Sequence, residues 1–240
     1  MSDPGISIVT TVYNGEKYIY DAWKSISVQK GVEWEWVVID DGSTDSSFDI
    51  LNEIYNKNKN VKVVKGGRIG RAAALNLGVK ESKYKYISIL DVDDEAEDGR
   101  FKIECQILEE DPQLGLIGGA YYYFDEIGKF SEVRYPPEGH EEFLKAACVR
   151  VPFAHSVVSF RKEAWESVGG YKPLKAGIDL RLFVDVAKFG WKVKGHKNIV
   201  GTHIKHQNSF WHKSFSEMEK KFVLFPIHFE VVRFFRLGIK

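Results

Sequence analysis

Asp91, Asp93 and Asp94 place three carboxylates within four positions, directly after the apolar run Tyr86 to Leu90. In an open α/β sheet, ligands bind in the crevice beyond the carboxyl ends of the strands. Carboxylates packed this closely repel one another, so something must offset their charge. A hard divalent cation does so most directly, because Mg²⁺ and Mn²⁺ take oxygen ligands and commonly bridge a carboxylate to phosphate oxygens. The competing reading is a solvated acidic turn leading into a helix, where negative charge is favoured by the helix dipole. The rest of the chain decides between the two.

The elements around this turn alternate. Ile6 to Val12 reads as a buried strand broken by Tyr13-Asn14-Gly15, and Glu16 to Gln29 carries apolar residues at helical spacing. A second strand, Trp34 to Ile39, ends in Asp40-Asp41-Gly42-Ser43-Thr44-Asp45, and Ser43 or Thr44 is placed to cap a helix over Ser46 to Asn56. Val61 to Val64 is a third strand, followed by Gly66 to Gly70 and a small-residue helix from Arg71 to Gly78, and Tyr86 to Leu90 is the fourth. Four strand-helix alternations predict a parallel sheet with helices on its faces, and the polar strand ends gather on one edge.

Beyond Asp94 the pattern is less regular. Helices are expected over Asp98 to Glu110, Glu138 to Ala147, Glu163 to Val168 and Ile178 to Phe189, the last stopped by Gly190. Strands are expected over Leu116 to Phe124, Lys129 to Arg134, Val157 to Phe160, Trp191 to Val193 and Ile199 to His206.

The 240 residues suit one large α/β domain, and 44% hydrophobic residues suffice for a sizeable core. Lys plus Arg equals Asp plus Glu at 34 each, so no net field favours nucleic acid. Cys105 and Cys148 have no metal-ligand spacing, and a reduced, cytoplasmic chain is the simplest account. No secretory signal opens the chain, and no stretch approaches the roughly 20 apolar residues of a membrane span. The aromatic and basic segment 211–240 is expected as a helical, amphipathic extension, interrupted at Pro226, which packs on the domain or lies on a membrane surface.

Several stretches in order resemble the glycosyltransferase family 2 enzymes, which have a GT-A fold. They are Val9 to Asn14, Val38 to Asp45, Gly70 to Gly78, Leu90 to Asp94, Gly169-Gly170-Tyr171, Asp179 before a helix ending at Gly190, and His206 to Ser209. The resemblance implies one Rossmann-like GT-A domain over 1–210 with a mixed, mainly parallel sheet. Residues 1–95 would form the nucleotide-binding half and 96–210 the acceptor-binding half.

The resemblance also implies roles. Thr11, Tyr13 and Asp41 would hold the nucleotide base, with Asp40 nearby; an aromatic ring offers a face to a pyrimidine and a carboxylate accepts its ring N–H. Arg71, at a helix start, would face a diphosphate together with backbone N–H groups, with Arg68 competing for that role. The family's usual Ala-Arg-Asn reads Ala74-Leu75-Asn76 here. Asp91 and Asp93 match the Asp-x-Asp motif, Asp93 as a direct ligand of Mn²⁺ or Mg²⁺ and Asp91 toward ribose or metal-bound water, with Asp94 left open. His206 matches the histidine that completes the metal or phosphate site, and His203 competes with it. Asp179 matches the aspartate that deprotonates the acceptor hydroxyl, although Ile178 stands where the family commonly has Glu.

Together these features predict a metal-dependent inverting transferase. Its donor would be a nucleoside diphosphate sugar, UDP-linked by expectation, and its acceptor a hydroxyl of a glycan or lipid-linked molecule. A binding module without turnover, and a sugar nucleotidyltransferase, are the competing readings. The second wants a glycine-rich basic loop after the first strand, where this chain has Tyr13-Asn14-Gly15-Glu16. No Gly-x-Gly-x-x-Gly follows that strand either, which disfavours a dinucleotide oxidoreductase.

Overall fold

The computed structural model describes residues 5–125, 127, 129–204, 224 and 226–233. In β1 (Gly5–Val12), Ile6 and Ile8 face one core and Val9 the other. In β2 (Glu33–Asp40), Trp36 and Val38 oppose Val37 and Ile39 in the same way. Strands that are apolar on both faces are stable only when both faces are covered. The coverings are α1 (Ile19–Ser27) after β1, α2 (Ser47–Lys57) after β2, and α3 (Arg71–Glu81) after β3 (Val61–Lys65). Next come β4 (Tyr86–Ile89), the two-residue β5 (Glu95–Ala96) and α4 (Arg100–Glu110). The second half runs β6 (Leu114–Phe124), β7 (Phe130–Arg134), α5 (His140–Ala147), β8 (Val158–Arg161), α6 (Lys162–Ser167), α7 (Ile178–Phe189) and β9 (Lys192–Ile204). Helices α1, α2 and α4 cover one face of the sheet, and α3, α5, α6 and α7 the other.

The strand order is β3-β2-β1-β4-β8-β6-β9-β5, with β7 paired to β6. Strands β1 to β4 are mutually parallel, as the alternation of strands with helices predicts. Beyond β4 the sheet becomes mixed: β8 runs antiparallel to β4 and β6, β6 and β9 are parallel, and β5 is antiparallel to β9. Helix α3 packs tightly on β1, because a Cβ on Gly78 would stand 2.5 Å from Val9 Cγ1. That close approach explains the run of small residues there.

Three features depart from the sequence expectation. The strands expected over 191–193 and 199–206 are one strand, β9, irregular in its pairing with β6. The polar residues His196 to Asn198 sit inside it, where the apolar pattern lapses. Strand β5 is too short for an alternation to register, yet Ala96 is buried and Glu95 exposed. Neither Ser43 nor Thr44 caps α2: Asp45 Oδ1 accepts from the Ser47 amide at 3.0 Å instead. Ser43 and Thr44 are taken up by Asn14, as described below.

Within the C-terminal extension, residues 226–233 are helical, and Leu224, Ile227 and Val231 are buried in the core beside α7. The rest of that segment lies outside the described residues. No helix among the described residues is long and apolar enough to cross a membrane.

A buried polar group holds β4 just before its acidic end. Arg100 and Glu104, one turn apart on α4, are both fully buried and joined at 3.0 Å. Arg100 also donates to Ser88 Oγ and the Ile89 carbonyl, each at 3.0 Å, while Glu104 accepts from Ser88 at 2.9 Å and Ser159 at 2.6 Å. Removing one member of a buried pair strands the other charge. Glu104→Ala is therefore expected to lower unfolding stability by about 3–5 kcal/mol, read as a fall in the denaturant midpoint.

Candidate active site

The polar ends of β1, β2 and β4 lie side by side, and side chains stitch them together. Asn14, with φ at 52°, donates its amide to Ser43 Oγ at 3.0 Å, and its Oδ1 accepts from the Thr44 amide at 2.8 Å. Asp45 Oδ2 accepts from the Glu16 amide at 3.2 Å. The turn after β2 therefore holds the loop after β1, and both are fixed relative to the sheet.

Thr11 sits near the end of β1, in register with Ile39. Tyr13 is 47% exposed, and the Arg68 guanidinium lies over its ring at 3.6 Å. Asp40 is buried and accepts from the Ser43 amide at 3.2 Å. Asp41, also buried, accepts from the amides of Ile69 at 2.7 Å and Gly70 at 3.0 Å. It thus anchors the glycine-rich loop that begins α3. Gly70 adopts φ of 85°, in the left-handed region open to glycine, and this places Arg71 at the first position of the helix. The two competing arginines separate here: Arg68 goes to Tyr13, and Arg71 to the acids of β4.

Asp91, Asp93 and Asp94 each offer an oxygen within 4.8 Å of the others. Arg71 Nη2 straddles the Asp91 carboxylate at 2.7 and 2.9 Å. Burial works against the Asp91 charge, but the Arg71 guanidinium outweighs it and holds the carboxyl below its ordinary range. Asp94 is buried, and its carboxylate lies 3.0 Å from His203 Nδ1. Burial opposes a charged His203, and Asp94 overrides it, so the imidazole is held above its ordinary pKa. Asp93 lacks such help. Burial first, then the charges of Asp94 and Asp91, push it up to about 7. An all-oxygen donor set with one carboxyl forced toward its neutral form suits a hard dication. Asp93 and Asp94, with Asp91 beside them, are the residues placed to hold one.

A cavity of about 1150 Å³ opens from this cluster. Arg71, Asp91, Asp93, His155, Asp179 and His203 all line it, as do Tyr121, Tyr123, Arg134, Arg150 and Lys175. Asp179 occupies the first turn of α7, after Gly177 at φ 71°. The sequence-predicted residues on the two sides of the chain thus converge: Arg71, Asp91 and Asp93 share one cavity with Asp179. His206 lies outside the described residues, whereas His203, its competitor, stands beside Asp94. Ile178, in place of the usual Glu, lines the same cavity.

Sequence reasoning missed His155 and Ser156. His155 is 8% exposed, and its Nδ1 lies 3.1 Å from Arg71 Nη2, while Ser156 Oγ accepts from the Asp91 amide at 3.3 Å. The available signal was an imidazole set alone in the apolar stretch Val151 to Phe160.

Residues 7–168 match the family model described as "Glycosyl transferase family 2". An uncharacterised glycosyltransferase of Rickettsia conorii is 35% identical over 132 residues, 55% of this chain and 22% of that protein. The chondroitin synthase of Pasteurella multocida is 26% identical over 231 residues, 95% of this chain and 23% of that protein. The chain therefore spans about a fifth of the length of these two curated relatives. Among solved structures, S. aureus TarS 1–349 in complex with UDP-GlcNAc superposes with a TM-score of 0.74 at 17% identity, over 95% of this chain and 66% of that one. The mannosyltransferase PcManGT of Pyrobaculum calidifontis, in complex with GDP-Man and Mn²⁺, gives 0.68 at 15% identity over 100% of this chain and 77% of that one. These likenesses agree with the GT-A architecture of the sheet, and the family match covers well over half of the sequence. The chain belongs to glycosyl transferase family 2.

Proposed function

We propose that this chain transfers a sugar from a nucleoside diphosphate donor to a hydroxyl of a glycan or lipid-linked acceptor, with inversion and with a divalent cation. The observation that carries this reading is the convergence of Arg71, Asp91, Asp93 and Asp179 on one cavity. The nucleotide base lies at the ends of β1 and β2, against Tyr13, with Thr11, Asp40 and Asp41 around it. Asp41 accepts from the Ile69 and Gly70 amides, and its remaining lone pairs are free for a base N–H. Arg71 and the first amides of α3 bind the diphosphate, where a helix N-terminus favours anions. When bound at Asp93 and Asp94, with His203 alongside, a divalent cation supplies positive charge against the leaving diphosphate. Asp179 accepts the proton of the acceptor hydroxyl as its oxygen attacks the anomeric carbon from the face opposite the diphosphate. One displacement without a covalent enzyme intermediate inverts that carbon.

A thermal-shift panel of UDP- and GDP-linked sugars with Mn²⁺ tests the donor class, because a ligand that binds only the native state raises the melting temperature. At least one donor is expected to stabilise the chain in a metal-dependent way. No shift from any of them would remove the reading. Asp93→Ala is expected to abolish the metal-dependent part of the shift. Asp179→Asn should spare donor binding and remove transfer by at least about a hundredfold, the usual weight of a general base. Near-normal rates in Asp179→Asn would overturn its assignment as the base, and nucleotide binding with no turnover under any donor would identify a binding module.

The pH dependence has a definite sign. Asp93 is raised from 3.8 to about 7, so its neutral form favours the fold below pH 4 and that contribution is lost as the pH rises through about 7. A cation competes with the same proton. Stabilisation by Mn²⁺ is therefore expected to grow from pH 6 to pH 8. Calorimetry in buffers of different ionisation enthalpy should show proton release on metal binding at pH 6 and almost none at pH 8.5.

A further inference from the structure

The Arg71–Asp91 pair is held from a third place. The short 3₁₀ turn His155–Val157 precedes β8, and its first two residues each engage one member of the pair. His155 Nδ1 meets Arg71 Nη2 at 3.1 Å, and Ser156 Oγ accepts the Asp91 amide at 3.3 Å. On its other edge, His155 Nε2 lies 2.9 Å from Tyr171 Oη. Tyr171 is buried, and its backbone is clamped by Asn76 of α3, whose amide donates to the Tyr171 carbonyl at 2.9 Å and whose Oδ1 accepts the Tyr171 amide at 2.8 Å. Asn76 and Arg71 lie on the same helix, so the contacts close a ring: Arg71, His155, Tyr171, Asn76 and back along α3. Gly170 belongs to this ring, since a Cβ there would stand 2.6 Å from Asn76 Oδ1.

The chemistry of the donors fixes the state of the imidazole. A guanidinium has only N–H donors, so His155 Nδ1 must present its lone pair. The neutral ring then carries its proton on Nε2 and donates to Tyr171. A neutral acceptor orients the guanidinium without cancelling its charge, which a second carboxylate would do. All three of these Arg71 hydrogen bonds fall on Nη2, and among the described residues none accepts from Nε or Nη1.

We propose that His155, locked by Tyr171, is a positioning residue that sets the direction of the Arg71 guanidinium so that its Nε and Nη1 face the donor diphosphate. This rests on the reading above that Arg71 binds that diphosphate. The orientation is built into the free protein, so the donor meets a cation whose rotamer is already fixed.

Two measurements test it. In the intact chain labelled with ¹⁵N at histidine, in neutral buffer, His155 is expected to show a pyridine-like Nδ1 and a pyrrole-like Nε2, assigned by their loss in His155→Asn. The reverse pattern overturns the proposal, and this measurement needs no variant to be active. Calorimetric binding of UDP and GDP with Mn²⁺ reads the consequence. His155→Leu should weaken the nucleotide that the unaltered chain binds by about tenfold, the size expected for one lost hydrogen bond to a charged group. His155→Asn places an amide oxygen where Nδ1 stood and should restore most of that affinity. Unchanged binding in His155→Leu, or equal losses in His155→Leu and His155→Asn, overturns the positioning role. Arg71→Ala separates the two claims. If it binds nucleotide as tightly as the unaltered chain, the diphosphate reading itself fails; if it is weakened while His155→Leu is not, only the role of His155 fails.

Discussion

Like-charge crowding at the end of β4 is the constraint around which the rest of the molecule is arranged. Three carboxylates within 4.8 Å would drive the turn apart unless their charge were met from elsewhere. Arg71 meets Asp91 from the start of α3, and His203 meets Asp94 from the end of β9. No side chain among the described residues donates to Asp93, and that residue bears the remaining strain in the form of a raised pKa. The imbalance is local, since the chain as a whole carries equal numbers of acids and bases. A protein selected only for stability would gain by replacing one of these acids.

The scaffold beneath that turn explains how it is held. The apolar strands β1, β2 and β4 are covered on both faces, and the Arg100–Glu104 group fastens β4 to α4 and β8 two residues before the acids begin. At the neighbouring strand ends, polar side chains fasten the loops. Asp41 anchors the loop that presents Arg71, and Asn14 splices the turn after β2 to the loop after β1. Substituting such residues would alter loop geometry as well as any direct ligand contact.

Much of this was legible in the sequence, for identifiable reasons. Strands β1, β2 and β4 are read from apolar runs buried on both faces, and each ends where the run gives way to Asn, Asp or Gly. The three acids after β4 are legible as carboxylates crowded directly behind an apolar run, whereas Arg71 and Asp179 entered through the family resemblance. Contacts made across long sequence separations were not legible. Nothing local to His155 announces a partner 84 residues earlier in Arg71 or one 16 residues later in Tyr171. Strand β9 read as two pieces because His196 to Asn198 interrupt its apolar pattern, while the backbone continues through them. Helix α2 has no side-chain cap from Ser43 or Thr44 because both side chains are engaged with Asn14, and Asp45 accepts the Ser47 amide instead.

Strand β5 has a consequence for how this molecule tolerates change. The acidic turn is pinned at both ends, on one side by β4 against β1 and β8, and on the other by Glu95 and Ala96 against Thr202 and Gly201 of β9. Only four residues separate Leu90 from Glu95. Inserting or deleting one of them would swap the faces of that short strand, turning Ala96 to solvent and Glu95 inward. Exchanges of side chain within the turn are therefore local events, whereas a change in its length would propagate into the far edge of the sheet.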